Sequence, residues 1–231
     1  MLENSNSVLK NKKGLVLGIA NDRSLAWGIA EACSISGANL ALTYQNESLK
    51  KRIVPLSQKI NCQHVFEFDV QKYDKMSTFF KNLNEKFGKL DFIVHGIAFS
   101  NKDELKGGYV ETTRENFLMT LEVSCYSFTS VVQNALPYLN EGASLVTLSY
   151  YGAEKVIPHY NVMGVAKSAL ETSVKYLAVD LGSKGIRVNA ISAGPVRTLA
   201  ASGISDFRYI LKWNEYNSPL ERNINLKDVG G

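Results

Sequence analysis

Short apolar runs rich in branched residues alternate along the chain with longer amphipathic stretches. "GLVLGIA" (14–20), "ANLALTYQ" (38–45), "HVFEFDV" (64–70), "LDFIVHGIA" (90–98), "ASLVTLS" (143–149) and "IRVNAIS" (186–192) each have the length and composition of a strand covered on both faces. Between them, "LAWGIAEACSIS" predicts a first helix and "ESLKKRIVPLSQKI" a polar-faced one kinked at Pro55. "KMSTFFKNLNEKFG" predicts a third, ended by Gly88. A long helix is expected over 113–136, broken before Pro137, and a fifth over 159–182, ending near Gly182. The alternation specifies α/β architecture, a single doubly wound (Rossmann-like) parallel sheet flanked by helices on both faces. With no internal repeat, low-complexity tract or linker, residues 1–231 read as one dinucleotide-binding and catalytic domain. Sheets of this kind bind ligands outside the carboxyl ends of their strands, so chemistry is sought in the segments that follow them.

Composition narrows the picture without redirecting it. The chain is 45% hydrophobic and 21% charged, as for one globular domain with a sizeable core. No run approaches the ~20 apolar residues needed to span a bilayer, and the N-terminal stretch "MLENSNSVLKNKKG" is too polar for a secretory signal. Cys33, Cys62 and Cys125 are odd in number and far apart, which favours structural thiols in a reducing, cytoplasmic setting. His64, His95 and His159 lack metal-ligand spacing, so no metal site is assigned. A net charge of +4, evenly spread, gives no footprint for nucleic acid.

After the first strand comes "GIANDRSLAWGIA". A dinucleotide site needs a side-chain-poor turn, so that backbone N–H groups can approach a pyrophosphate at a helix N-terminus. Gly18 supplies the turn, Ser24 a hydroxyl and a helix cap, and Ala26 and Gly28 room for helix–sheet packing. The spacing is not GxGxxG, and a glycine after a strand is often only a turn. The second strand ends in Gln45 and Asn46, with Glu47 next and Lys50, Lys51 and Arg52 a turn into the helix. With no cation at the strand end to meet a 2′-phosphate, the cofactor reads as NADH rather than NADPH. Asp69 and Val70 suit an adenine edge, and Gly96 and Ala98 leave room for a ribose or nicotinamide.

In "SYYGAEKVIPHYNVMGVAK" (149–167), Tyr160 and Lys167 lie seven apart. Seven residues close two helical turns to within about 20°, so a continuous helix presents both side chains on one face. Tyr150, just after the fifth strand, can reach the same cleft. A phenol beside an ammonium has its anion favoured, which would suit an acid or an oxyanion partner. An isolated Y-x6-K pair is more often one packed ring and one solvated lysine.

The pair is not isolated. Together, "GIANDRSLAWG", "LTYQN", "SYYGAEKVIPHYNVMGVAK" and "RVNAISAGPVRTLAASGI" resemble the NADH-dependent enoyl-[acyl-carrier-protein] reductases of bacterial fatty-acid synthesis, within the short-chain dehydrogenase/reductase superfamily. Ordinary members of that superfamily carry Y-x3-K, the enoyl reductases Y-x6-K. The resemblance implies that Tyr160 and Lys167 are the catalytic tyrosine and lysine, with Tyr150 a second tyrosine lining the substrate pocket. It places Gly18, Ser24, Leu25, Gln45, Asp69, Val70, Ile97, Lys167, Val196, Arg197, Thr198, Leu199 and Ala200 on NADH, and Ser100 on substrate. It further implies a substrate-binding lid around 197–212, a homotetramer, and acyl carrier protein as the partner that delivers the enoyl thioester, which Arg208 and Lys212 could greet. The family continues through another strand and helix beyond the point where "LKDVGG" ends this sequence, and Gly96 and Ala98 stand where it usually has a serine and a glycine.

Two other functions would leave different marks. A carbonyl reductase or alcohol dehydrogenase on the same fold would want Y-x3-K, but position 163 is Met163. A non-catalytic dinucleotide-binding protein would not need Tyr160 and Lys167 together.

Overall fold

The computed structural model describes residues 8–199, 201 and 207–231. In chain order it holds β1 (Lys13–Leu17), α1 (Leu25–Ile35), β2 (Asn39–Tyr44), α2 (Glu47–Lys59), β3 (His64–Glu67), α3 (Tyr73–Phe87) and β4 (Leu90–His95). Then follow α4 (Arg114–Leu121), α5 (Ser127–Ala135), β5 (Leu139–Ser149), α6 (Asn161–Gly182), β6 (Arg187–Ser192), α7 (Phe207–Asn217) and α8 (Leu226–Gly230). The six strands form one sheet in the order β3-β2-β1-β4-β5-β6, every pair parallel. The order reverses between β1 and β4, and that switch opens a crevice at the carboxyl edge.

Successive residues of β1 face opposite sides of the sheet, as the pleat requires. Leu15 and Leu17 join Phe80, Phe128, Leu145 and Leu170 in one core, while Val16 joins Trp27, Leu42, Ile53 and Val94 in the other. Both layers are dry because both faces are covered, which is why the strands are apolar throughout.

Several expected boundaries move, and for physical reasons. The apolar runs of β1, β3 and β4 extend past the last ladder residue: Ile19, Ala20, Phe68, Val70, Ile97 and Ala98 have left the sheet and line the crevice. Hydrophobicity there reflects packing onto the core at the rim of the crevice rather than membership of a strand. β5 starts four residues early, at Leu139, because Leu139 pairs with Leu90 before a register shift leads to the pairing of Ser144 with Phe92. Pro55 sits inside α2 without ending it. Gly88 does stop α3, with φ of 89° and its N–H on the Asn84 carbonyl at 2.8 Å. The expected helix over 113–136 is α4 and α5 joined by a π segment, Glu122–Tyr126, and Pro137 lies inside a closing 3-10 turn, Leu136–Tyr138. The π segment carries one residue more per turn than its flanks. Gly28 makes room for another helix rather than for the sheet, since a Cβ there would lie 2.7 Å from the Leu226 carbonyl oxygen in α8.

Candidate active site

A cleft of about 810 Å³ runs along the carboxyl edge, within the size range of small-molecule sites. At one end lie Gly18, Ser24, Leu25, Gln45, Asp69 and Val70; Ile97 and Lys167 sit between, and Ser100, Tyr150 and Tyr160 lie at the other end. Val196, Thr198 and Leu199 line it too; Arg197 is exposed outside the lining, and Ala200 falls outside the described residues. The expected lid over 197–212 is described only in part: residues 200 and 202–206 fall outside the described set, while Phe207, at the start of α7, lines the cleft.

The β1–α1 turn is shaped for a close backbone approach. Gly18 has φ of 93°, and a Cβ on it would sit 2.1 Å from the Gly96 carbonyl oxygen. The carboxyl ends of β1 and β4 are thus pinched together by two glycines. Gly96 has little room for the family's usual serine, since a Cβ there would lie 2.8 Å from that of Ala26. Ser24 behaves differently from expectation. Its side chain caps nothing in α1; its Oγ accepts from Ala20 N at 2.9 Å and Asn21 N at 3.1 Å, folding the loop over itself. Its own hydroxyl proton is left to point elsewhere. Asn46 caps α2, accepting from Leu49 N at 3.1 Å. Lys50, expected to be remote, turns back over the Tyr44 ring at 5.6 Å from its centroid and pairs with Glu47 at 3.0 Å. Lys50 is thereby held in an exposed ion pair beside the end of β2. Elongated, small-residue walls over Gly18, Ala20, Gly96, Ala98 and Gly194 fit a dinucleotide.

At the other end, Tyr160 is only 7% exposed. It does not stand on a continuous helix with Lys167 as the spacing argument assumed; it is the residue that precedes α6. Its neighbours His159 and Asn161 have φ of 61° and 41°, an uncommon left-handed pair around one residue. The Tyr160 ring packs edge-on to that of Tyr150, centroids 5.0 Å apart. It also lies flush on Gly152, where a Cβ would meet it at 2.4 Å.

Lys167 is fully inside, 5% exposed, with Nζ donating to the Leu148 carbonyl at 2.6 Å. Burial brings its pKa down to about 8, against upward pulls from Cys125 and Glu171. Burial also raises the Tyr160 phenol above the ordinary tyrosine range, with Tyr150 adding to the effect, and pushes Tyr150 up as well. The expectation that Lys167 would acidify Tyr160 is therefore reversed: desolvation wins, and the phenol keeps its proton as a neutral donor. Ser149 donates to Glu171 Oε1, one helical turn beyond Lys167 on α6.

Ser100 faces the cleft, but its hydroxyl is committed to a network, donating to Asn116 Oδ1 at 3.3 Å and accepting from Thr120 at 2.9 Å. Sequence reasoning missed the apolar half of the wall, Phe99, Leu105, Val123 and Met163, which carries no motif. It also passed over His95. That ring is wholly buried between Thr147 Oγ1 at 3.1 Å and Ser127 Oγ at 2.9 Å, and burial pushes its pKa down to about 3, helped by the charge of Lys167. All three cysteines are free thiols, and burial raises each, Cys33 to about 11.

A six-stranded parallel sheet with a dinucleotide-shaped crevice and a buried tyrosine–lysine end defines an α/β oxidoreductase of the short-chain dehydrogenase/reductase class. The sequence profile described as "Enoyl-(Acyl carrier protein) reductase" matches residues 18–231. Enoyl-[acyl-carrier-protein] reductase [NADH] 1 of Rhizobium meliloti is 57% identical over 98% of this chain and 83% of its own length. A crystal structure of the Anaplasma phagocytophilum reductase in complex with NAD superposes with a TM-score of 0.94 at 58% identity, covering 98% of this chain and 87% of that one. The Bacillus cereus enoyl-acyl carrier protein reductase, solved with NADP+ and indole naphthyridinone, gives a TM-score of 0.93 at 44% identity, over 96% and 87% of the two chains. The chain belongs to the enoyl-(acyl carrier protein) reductase family, and its cofactor is the nicotinamide dinucleotide of that family.

Proposed function

We propose that the chain reduces the trans-2 double bond of enoyl thioesters with NADH, and that Tyr150, Tyr160 and Lys167 are the residues that do so. The observation that carries this reading is the shared cleft: a buried neutral phenol and a buried ammonium face the same space as the dinucleotide walls. When bound, NADH would supply the hydride that reduces the β-carbon, and a proton taken up at the α-carbon would then complete the reduction of the double bond. Tyr160 donates a hydrogen bond to the thioester oxygen as enolate charge collects there, a role suited to a phenol that holds its proton tightly. Lys167 has three N–H donors, and with one on Leu148 two remain for the nicotinamide ribose. Its charge also lowers the cost of the nearby oxyanion. Tyr150 presses Tyr160 into place and closes the wall beside it. Gly18, Ser24, Leu25, Gln45, Asp69, Val70, Ile97, Val196, Thr198 and Leu199 make up the dinucleotide side of this reading, and Ser100 the substrate side. The uncharged Gln45, which lines the cleft at the end of β2, supports NADH over its 2′-phosphorylated form.

The proposed partner is acyl carrier protein bearing the enoyl thioester, met by Arg208 and Lys212, both exposed on α7. The proposed assembly is a homotetramer and the proposed location cytoplasmic; among the described residues no helix is long and apolar enough to cross a membrane. The deciding assay follows NADH oxidation with crotonyl and longer enoyl thioesters, with ketoacyl thioesters, and without substrate. Oxidation with the enoyl series alone is expected; oxidation with ketoacyl thioesters instead would transfer the chain to carbonyl reduction.

A further inference from the structure

The turn that carries Tyr160 is strained on both sides, and one of the strained residues does more than turn the chain. Asn161, with φ of 41°, sends its carboxamide across to the loop between β4 and α4. Its Nδ2 donates to the Gly107 carbonyl at 2.9 Å and lies 3.4 Å from the Glu104 carbonyl. Between those two carbonyls sits Leu105, 5% exposed, packed with Tyr160, Val162 and Met163 in a small apolar cluster and lining the cleft. The far side of the same loop is held separately: the Glu104 carboxylate accepts from Thr113 N at 3.0 Å and Thr113 Oγ1 at 2.9 Å, at the start of α4.

We propose that Asn161 is a positioning residue for the acyl end of the site, fastening the 104–107 loop to the tyrosine turn so that Leu105 and the Tyr160 ring form one fixed wall. This rests on the reading above that this end of the cleft receives the enoyl chain. Residue type supports it from two directions. Among side chains with a Cβ, asparagine and aspartate tolerate left-handed backbone best, and of those two only asparagine carries N–H donors. An amide with two donors meets two carbonyls at the one position where the backbone also needs that tolerance. A side chain wanted for the turn alone could as well be aspartate or glycine.

Two variants separate tether from turn. Asn161→Asp keeps the shape and the backbone tolerance but has no donor and sets a carboxylate against two carbonyl oxygens. Asn161→Gly keeps the backbone freedom and removes the side chain altogether. Both are expected to raise KM for an enoyl thioester about tenfold, the scale of one to two ordinary hydrogen bonds, with KM for NADH held within about twofold. Both are expected to be cut faster by trypsin after Lys102 and Lys106, in the released loop, at a temperature well below melting. Unchanged enoyl KM with unchanged cleavage would overturn the proposal. So would equal rises in both KM values, or a lowered melting temperature with wild-type kinetics, since either marks a general structural role. The protease comparison needs no substrate, so a wild-type protein inactive on enoyl thioesters would remove the functional reading while the tether is still decided by cleavage.

Discussion

At the scale of single residues, the site depends on two groups whose protonation is set by burial rather than by each other. Burial keeps the Tyr160 phenol neutral, so on the proposed reading removing its hydroxyl removes a hydrogen bond to a developing oxyanion. Tyr160→Phe is expected to lower kcat by about 100-fold or more, the cost of one oxyanion donor, while the dissociation constant for NADH stays within about twofold. Turnover near wild type would transfer the role to Tyr150. Lys167 makes a prediction of opposite sign for stability. Its folded pKa, about 8, lies below the ordinary 10.5. The cost of keeping the ammonium inside is therefore fully present below about pH 8 and fades as pH rises toward 10.5. Lys167→Met should abolish turnover yet raise the melting temperature at pH 7, with the gain over wild type shrinking between pH 8 and 10. Thermal melts of the two proteins across that range, without cofactor, would show it. That Tyr160 and Lys167 share the cleft was legible in the sequence through their spacing and neighbours. The reason for the spacing was not, because the tyrosine precedes the helix instead of riding on it, and a left-handed asparagine leaves no periodic trace.

At the scale of elements, the strands and helices could be read from their periodicity, but their carboxyl ends could not. Ile19, Phe68, Val70 and Ile97 look like strand residues because they are apolar, and they are apolar because they pack into the core layers at the edge of the cleft. Burial beyond the end of a ladder and burial within it leave the same mark on a sequence. The glycine pinch between β1 and β4 belongs to the same scale and carries its own prediction. Gly18→Ala puts a Cβ 2.1 Å from the Gly96 oxygen at a φ of 93°, so the two strand ends must part. The expected outcome is a loss of about 2–4 kcal/mol in denaturant unfolding together with loss of NADH binding by fluorescence titration. Full stability with intact binding would mean the pinch relaxes at no cost.

For the whole molecule, fold class and family were both legible, the first from alternation and the second from four motifs in order. Pairwise geometry was not: nothing in the sequence told that Lys50 lies over Tyr44 beside Glu47, or that Gly28 seats α8. Charge at this scale is mild, so any pull of the exposed Arg208 and Lys212 on α7 is local. Raising salt from 50 to 300 mM should raise KM for carrier-bound enoyl substrate several-fold and leave an uncharged pantetheine thioester of the same acyl chain nearly unaffected, since that carrier has neither acidic protein surface nor phosphates. Equal salt sensitivity would remove these two residues from carrier docking. Light scattering of the purified protein should give the mass of four copies.

The π segment between α4 and α5 has a consequence for how the gene can change. Ser124 on it both accepts from Phe99 N and donates to Phe99 O, each at 2.9 Å, while Phe128, Val131 and Val132 just beyond it fill the core. The widened turn holds one residue more than an ordinary one, so removing a single codon from 122–126 would restore an ordinary helix and leave the turns on either side in phase. Phe128, Val131 and Val132 would keep their places in the core, and the loss would fall on the local geometry that aims Ser124 at Phe99. A library of single-codon deletions should therefore retain folded clones across these five positions, whereas the same deletions inside α5 should not.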